Sequence, residues 1–163
     1  AAAYEVFRDF HPKHERIHYV LYKLAESYYM QLPSTYDRDL TSARKAIKYY
    51  QELLRQYPGS EHVEEAKEKV AESQEMLRKK QKYIADFYFK TGVYDSARFR
   101  YLDILKNFSH KELRDHTMIR IVRSSAKMKT FKECRNYYKK YKEQISSDGK
   151  KSLEKAVQPC LEN

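Results

Sequence analysis

The chain has three glycines, four prolines and no tryptophan in 163 residues. So little backbone punctuation excludes an all-β fold with many tight turns. It also excludes a glycine-rich phosphate loop or a nucleophile elbow. No apolar run is long enough for a transmembrane helix. The two cysteines, Cys134 and Cys160, lack the close spacing of a zinc or thioredoxin-type site and say little about redox compartment. No signal peptide is visible, and the opening Ala1-Ala2-Ala3-Tyr4 reads as the start of a fragment or processed chain.

What is present is charge and aromatic surface. Charged residues make up 34% and the mean hydropathy is −0.93. Yet 16 tyrosines and seven phenylalanines supply too much buriable area for a disordered chain. The net charge of +10 invites acidic partners: nucleic acid, lipid headgroups or an acidic protein face. The charges read as spread along the chain and interleaved with Glu, the look of solvated helix faces.

Apolar residues recur at three- and four-residue steps throughout, so helices and no strands are expected. Ile17, Leu21, Leu24, Ala25 and Tyr28 predict a helix over 14–31. After a loop through Asp39, with Asp39 or Thr41 as cap, a second helix runs from Ala43 to about Tyr57 and stops at Pro58-Gly59. Ser60 is a candidate cap for a long helix over about 61–90, roughly 45 Å at 1.5 Å per residue. Glu61, Glu64 and Glu65 suit its first turn, and Gly92 its end. Further helices are expected over 94–107, 111–128, 131–145 and 150–158.

These helices share a spacing. Ala85, Tyr88, Tyr94, Ala97, Tyr101, Ile104 and Ser109 match the tetratricopeptide pattern of small residue, aromatics, alanine, aromatic, apolar residue and final turn. Small residues let paired helices approach, and rings fill the groove beside them. Ala46, Tyr50, Leu53 and Pro58 repeat the second half of that pattern, while Ala25 and Tyr28 supply the first half, displaced by an inserted loop. Tyr4, Phe7 and Pro12 fit the end of another repeat, and Phe131, Cys134, Tyr138 and Tyr141 a degenerate one. The expected fold is therefore all-α: a tetratricopeptide-repeat superhelix of antiparallel hairpins with one over-long helix. As a single domain over 1–163 it would comprise a half repeat at 1–12, a repeat with its inserted loop at 14–58, one at 61–109, a degenerate one at 110–145 and a last helix. Beginning mid-repeat, it would lack a partner helix upstream.

Three stretches carry a closer likeness. They are His11-Pro12 with Tyr19-Val20-Leu21-Tyr22; Asp37-Arg38-Asp39 with Ala43-Arg44-Lys45-Ala46 and Tyr57-Pro58-Gly59-Ser60; and Ile84-Ala85-Asp86-Phe87-Tyr88 through Gly92 to Arg100. Over about residues 4–108 the chain resembles the BamD (ComL/YfiO) family of the β-barrel assembly machinery. The resemblance implies a non-catalytic scaffold with no cofactor, at the periplasmic face of the outer membrane. Its implied partners are a BamA-like POTRA domain, other assembly-machinery lipoproteins and unfolded outer-membrane proteins. It implies membrane contact only through an N-terminal lipid that this chain does not contain. It also implies that Arg100, eight residues after Gly92, pairs with an acidic residue of BamA; a solvated or internally paired arginine is the plainer alternative.

Arg120, Arg123 and Lys127 share one helical face. They suit an acidic partner or lipid headgroups, or else form a solvated face. Tyr22, Tyr29, Tyr36 and Tyr49 lie outside the repeat positions and either grip an extended peptide or pack between helices. Cys134 occupies a small-residue position, where a buried thiol acts as a small hydrophobe; a disulfide to Cys160 is the alternative. His14-Glu15-Arg16-Ile17-His18 is a formal H-E-x-x-H match, which on a helix would set two imidazoles on one face. Too little chain precedes it for the usual flanking sheet, no third ligand stands out, and Ile17 is needed for packing, so no catalytic or metal residue is assigned. The rival functions are another periplasmic repeat adaptor, for envelope integrity or cell division, and a nucleic-acid-binding protein suggested by the charge; no nucleic acid is expected.

Overall fold

A computed structural model describes residues 1–162, so the last residue of the expected domain, 163, lies outside the described residues. The described residues form eight α-helices and no strand: α1 (Ala2–Phe10), α2 (Ile17–Tyr29), α3 (Thr41–Gln56), α4 (Val63–Lys90), α5 (Tyr94–Asn107), α6 (Lys111–Lys127), α7 (Phe131–Tyr141) and α8 (Ser147–Leu161). The fold is all-α and tetratricopeptide-like. It divides into two compact units, residues 1–80 and 81–163.

In the first unit, α2 packs on α3 and α1 on α2. Ala25, Ala46 and Ala66 are fully buried, as are Leu24, Tyr50 and Leu53. The alanines remove bulk where backbones approach, and the leucines and rings fill what remains. Burying one such leucine stabilises by about 1.5–3 kcal/mol. A smaller cluster of Leu40, Ala43 and Leu77, with Leu32 and Met76 against it, roots the inserted loop. Polar ties are added by Ser42, whose hydroxyl donates to the Gln31 carbonyl, and by Lys80, which donates to that of Arg38. Neither expected cap closes α3: its N-cap is Leu40, and the Thr41 hydroxyl donates to Asp39 at 3.0 Å instead.

Tyr22, Tyr28, Tyr49 and Tyr50 of this unit are packing residues. Tyr22 and Tyr49 are buried, and Tyr29 donates to Glu72. Tyr22 donates to Glu65 at 2.9 Å and Glu26 at 3.1 Å. Tyr28 and Tyr49 share Glu5, at 2.8 and 3.0 Å. Of Tyr22, Tyr29, Tyr36 and Tyr49, Tyr36 is the exposed one; Tyr19 is exposed as well.

In the second unit, α6 packs against α5, α7 and α8. Ala85, Ala97, Tyr101, Ile104, Ile121 and Val122 form its centre, all 1% exposed or less. A disulfide joins Cys134 of α7 to Cys160 of α8, with Cα atoms 6.3 Å apart. Cys134 is thus buried, as its position required, but as half of a cystine. The last helix is longer than 150–158 because Gly149 and Pro159, breakers by sequence, both fall inside it. Gly149 is needed there: a Cβ would stand 2.6 Å from the Ile145 side chain. Pro159 has no N–H for a helical bond to the Lys155 carbonyl, and the helix ends two residues later at Leu161.

Candidate docking site

Arg100 is positioned by a turn and a helix. α4 ends at Lys90, and Gly92 takes φ +82°, the left-handed conformation that glycine adopts at least cost. The chain then enters α5 at Tyr94. Ala97, Tyr101 and Ile104 bury one face of α5. Phe99 and Arg100 fall outside that stripe, Phe99 at 68% exposure and Arg100 half-buried. With Tyr88, Asp95 and Ser96 they line a shallow cleft of about 240 Å³. Phe87, next to Tyr88, and Val93 are also exposed, at 52% and 42%.

The neighbouring arginines are engaged within the unit. Arg98 pairs with Glu133 and donates to the Ser125 hydroxyl at 3.1 Å. Arg114 donates to the carbonyls of Leu105 and Phe108. Arg120 stands 4.2 Å from the Phe89 ring centroid and 4.0 Å from Asp86. Among the described residues, no carboxylate lies within ion-pairing distance of Arg100 or Arg123. The helix spacing that put Arg120, Arg123 and Lys127 on one face holds, but Arg120 is turned onto Phe89 while Lys127 is exposed.

Asp86 organises the polar side of this unit. It accepts from Tyr101, from Lys82 and, at 2.8 Å, from His116. Burial alone would raise its carboxyl pKa, but the bonds from His116, Lys82 and Tyr101 outweigh that and hold it far below the usual carboxylate range. The Tyr101 hydroxyl is pushed up by burial and by the Asp86 carboxylate. Sequence reasoning missed this hub; the signal was one acid inside the apolar stretch Ile84-Ala85-Asp86-Phe87-Tyr88. It also missed Phe99, whose signal was an aromatic standing off the buried stripe.

The H-E-x-x-H pentapeptide does not sit on one helix face. α2 begins at Ile17 rather than at 14, and His14 lies in the preceding turn, where its Nδ1 accepts the Arg16 N–H at 3.1 Å. The Nδ1 of His18 lies 3.1 Å from the Glu15 carbonyl. Among the described residues, no group of three His, Cys, Asp or Glu side chains is placed to hold a metal ion. Among the described residues, no helix is long and apolar enough to cross a membrane.

Comparison with known proteins gives a consistent result. Residues 1–143 match the family described as YfiO, outer membrane lipoprotein. The chain is similar to the outer membrane protein assembly factor BamD of Neisseria gonorrhoeae, 28% identical over 118 residues, 67% of this chain and 44% of that protein. BamD of Neisseria meningitidis serogroup A is equally similar, at 28% with the same coverage. The serogroup B protein is 27% identical over 118 residues, again 67% of this chain and 44% of the relative. The chain thus spans less than half the length of these relatives.

Proposed function

Because the chain belongs to the YfiO family of outer membrane lipoproteins, we propose that it is a non-catalytic scaffold segment of the outer-membrane β-barrel assembly machinery, docking a BamA-like POTRA domain through the cleft at Arg100. The observation that carries this reading is an arginine with no ion-pair partner among the described residues, sharing its cleft with Asp95 and set beside exposed rings. Arg100 lies in a cleft with Phe99 and Tyr88, and Phe87 and Val93 are exposed nearby in sequence. Arginine and aromatic anchors dominate the energetics of protein interfaces. A guanidinium left open on one side can take a carboxylate from a partner in two parallel bonds. Since the helices are already formed, docking costs little ordering entropy.

On this reading the protein acts at the periplasmic face of the outer membrane, with assembly-machinery lipoproteins and unfolded outer-membrane proteins as further partners. No step of it requires catalysis or a cofactor. The test is a pull-down. Arg100→Glu abolishes capture of a BamA-like POTRA domain and leaves the circular-dichroism melt unchanged, since the side chain makes no internal ion pair. Undiminished capture by the variant refutes the assignment of Arg100.

A further inference from the structure

We propose that the outward face of α7, together with the turn leading into it, binds the headgroups of an anionic phospholipid bilayer. This would be a direct membrane contact, beyond any lipid attached to the protein. It rests on the family's membrane association and not on the docking reading at Arg100, and it uses different residues.

The starting observation is segregation of charge. Residues 1–80 hold 14 Lys and Arg against 13 Asp and Glu; residues 81–163 hold 19 against 10. The even interleaving read from the sequence therefore describes only the first unit. In the second, key acids are occupied internally. Asp86 serves Tyr101, His116 and Lys82. Glu133 pairs with Arg98, and Asp115 accepts from the N–H and hydroxyl of Ser146. The surplus of cations is left facing solvent.

Part of that surplus lies on α7, which carries four cations against one acid, where α8 carries three against two. Cys134 and Tyr141 are buried and Phe131, Tyr137 and Tyr138 pack against the core, which fixes the inward side. On the other side Lys132, Lys139 and Lys140 are exposed, as are Lys127, the last residue of α6, and Lys129 in the turn before α7. Lys132 and Lys139 lie two helical turns apart, about 10 Å. Among the described residues, none of these five lysines has an ion-pair partner.

The residue types select the partner. Protein interfaces are depleted in lysine and enriched in arginine and exposed aromatics. Here the one arginine of α7, Arg135, is turned inward to the Cys160 carbonyl at 2.6 Å, and the tyrosines lie on the buried side. A face of hydrated ammonium groups without an anchoring ring or fork has little to grip a shaped protein surface. It needs only a diffuse negative plane, which an anionic leaflet supplies. Nor does it offer the stacking rings with which single-stranded nucleic acid is held.

The test is co-sedimentation of the chain with phosphatidylcholine vesicles, with and without phosphatidylglycerol. Binding is expected only to the anionic vesicles, and it weakens as salt screens the charges. The variant Lys132→Gln/Lys139→Gln/Lys140→Gln loses affinity by about fivefold per lysine removed. Lys13→Gln/Arg44→Gln/Lys67→Gln in the first unit removes the same charge and leaves the affinity within about twofold of the parent, as expected when those residues stay clear of the membrane. Equal losses in the two triple variants, or no preference for anionic vesicles, overturn the proposal. Retention of polyglutamate with no vesicle binding also overturns it, and assigns the face to an acidic protein.

Discussion

In residues 1–80, acids serve as acceptors for tyrosine hydroxyls and as partners for lysines. Glu5 takes Tyr28 and Tyr49, Glu65 and Glu26 take Tyr22, and Glu72 takes Tyr29. Lys23 pairs with Glu26, Lys67 with Glu64 and Lys69 with Glu72. Residues 81–162 concentrate that plan at one acid. One carboxylate, Asp86, gathers three donors, a disulfide closes the end of the chain, and most lysines are left unpaired. Both units nonetheless use one packing rule, alanine against a ring: Ala46 with Tyr50, and Ala97 with Tyr101. Core geometry and surface charge therefore vary independently on this fold. The same repeat can present a balanced surface in one unit and a cationic one in the next.

The largest effect that would sharpen the contrast is at the disulfide. Cys134 and Cys160 are 26 positions apart, so cross-linking them restricts a sizeable loop of the unfolded chain. Replacing both by alanine costs about 3 kcal/mol. Hydrogen exchange followed by mass spectrometry should show faster exchange in peptides of α7 and α8 and unchanged protection in α2 and α3. Equal loosening of both sets would show that the staple does not belong to the second unit alone.

Next in size is a matched pair of tyrosines. Tyr50 and Tyr101 occupy corresponding repeat positions and both are fully buried. The Tyr101 hydroxyl donates to Asp86, whereas that of Tyr50 has no hydrogen-bond partner among the described residues. Tyr101→Phe removes a bond to a charged acceptor and costs about 1.5–3 kcal/mol. Tyr50→Phe removes a buried, unsatisfied hydroxyl and leaves stability unchanged or raises it by about 1 kcal/mol. Urea unfolding of the two variants measures the difference. Equal losses would mean that the hydroxyls, unlike their surroundings, are equivalent.

These particulars show what local sequence can carry. Helix positions were legible because apolar spacing and punctuation act within a few residues; α5 runs from Tyr94 to Asn107 as the spacing predicts, between Gly92 and Ser109. Arg100 was singled out by the family resemblance; the spacing placed it only one step off the buried stripe, where it stands half-buried. Partners distant in the chain were not legible. Nothing local tells that Arg120 will rest on Phe89 or that His116 will meet Asp86, and the Cys134–Cys160 bond was named only as the alternative to a free thiol. Nor did local reading extend α8 through Gly149, because the reason for that glycine is the Ile145 side chain packed against it. The charge division escaped because it emerges only once the boundary between the two units is known.

The smallest expected effect concerns Glu5, the counterpart in the first unit of Asp86. Bonds from Tyr28 and Tyr49 hold its carboxyl below the usual 4.5, against a smaller opposing effect of burial. The folded chain therefore gives up this proton more readily than the unfolded one. Its contribution is complete above the unfolded value and fades as pH falls through the lower folded value. Glu5→Gln should cost about 1 kcal/mol at neutral pH, because the carboxylate is only half-buried. The parent and the variant should then converge as the medium is acidified below the folded value. Urea midpoints across an acid series would show this, with Asp86→Asn giving the larger version of the same curve. If Glu5→Gln lost as much as Asp86→Asn, the two units would be held by polar ties of equal strength. The contrast drawn from their carboxylates would then reduce to one of number.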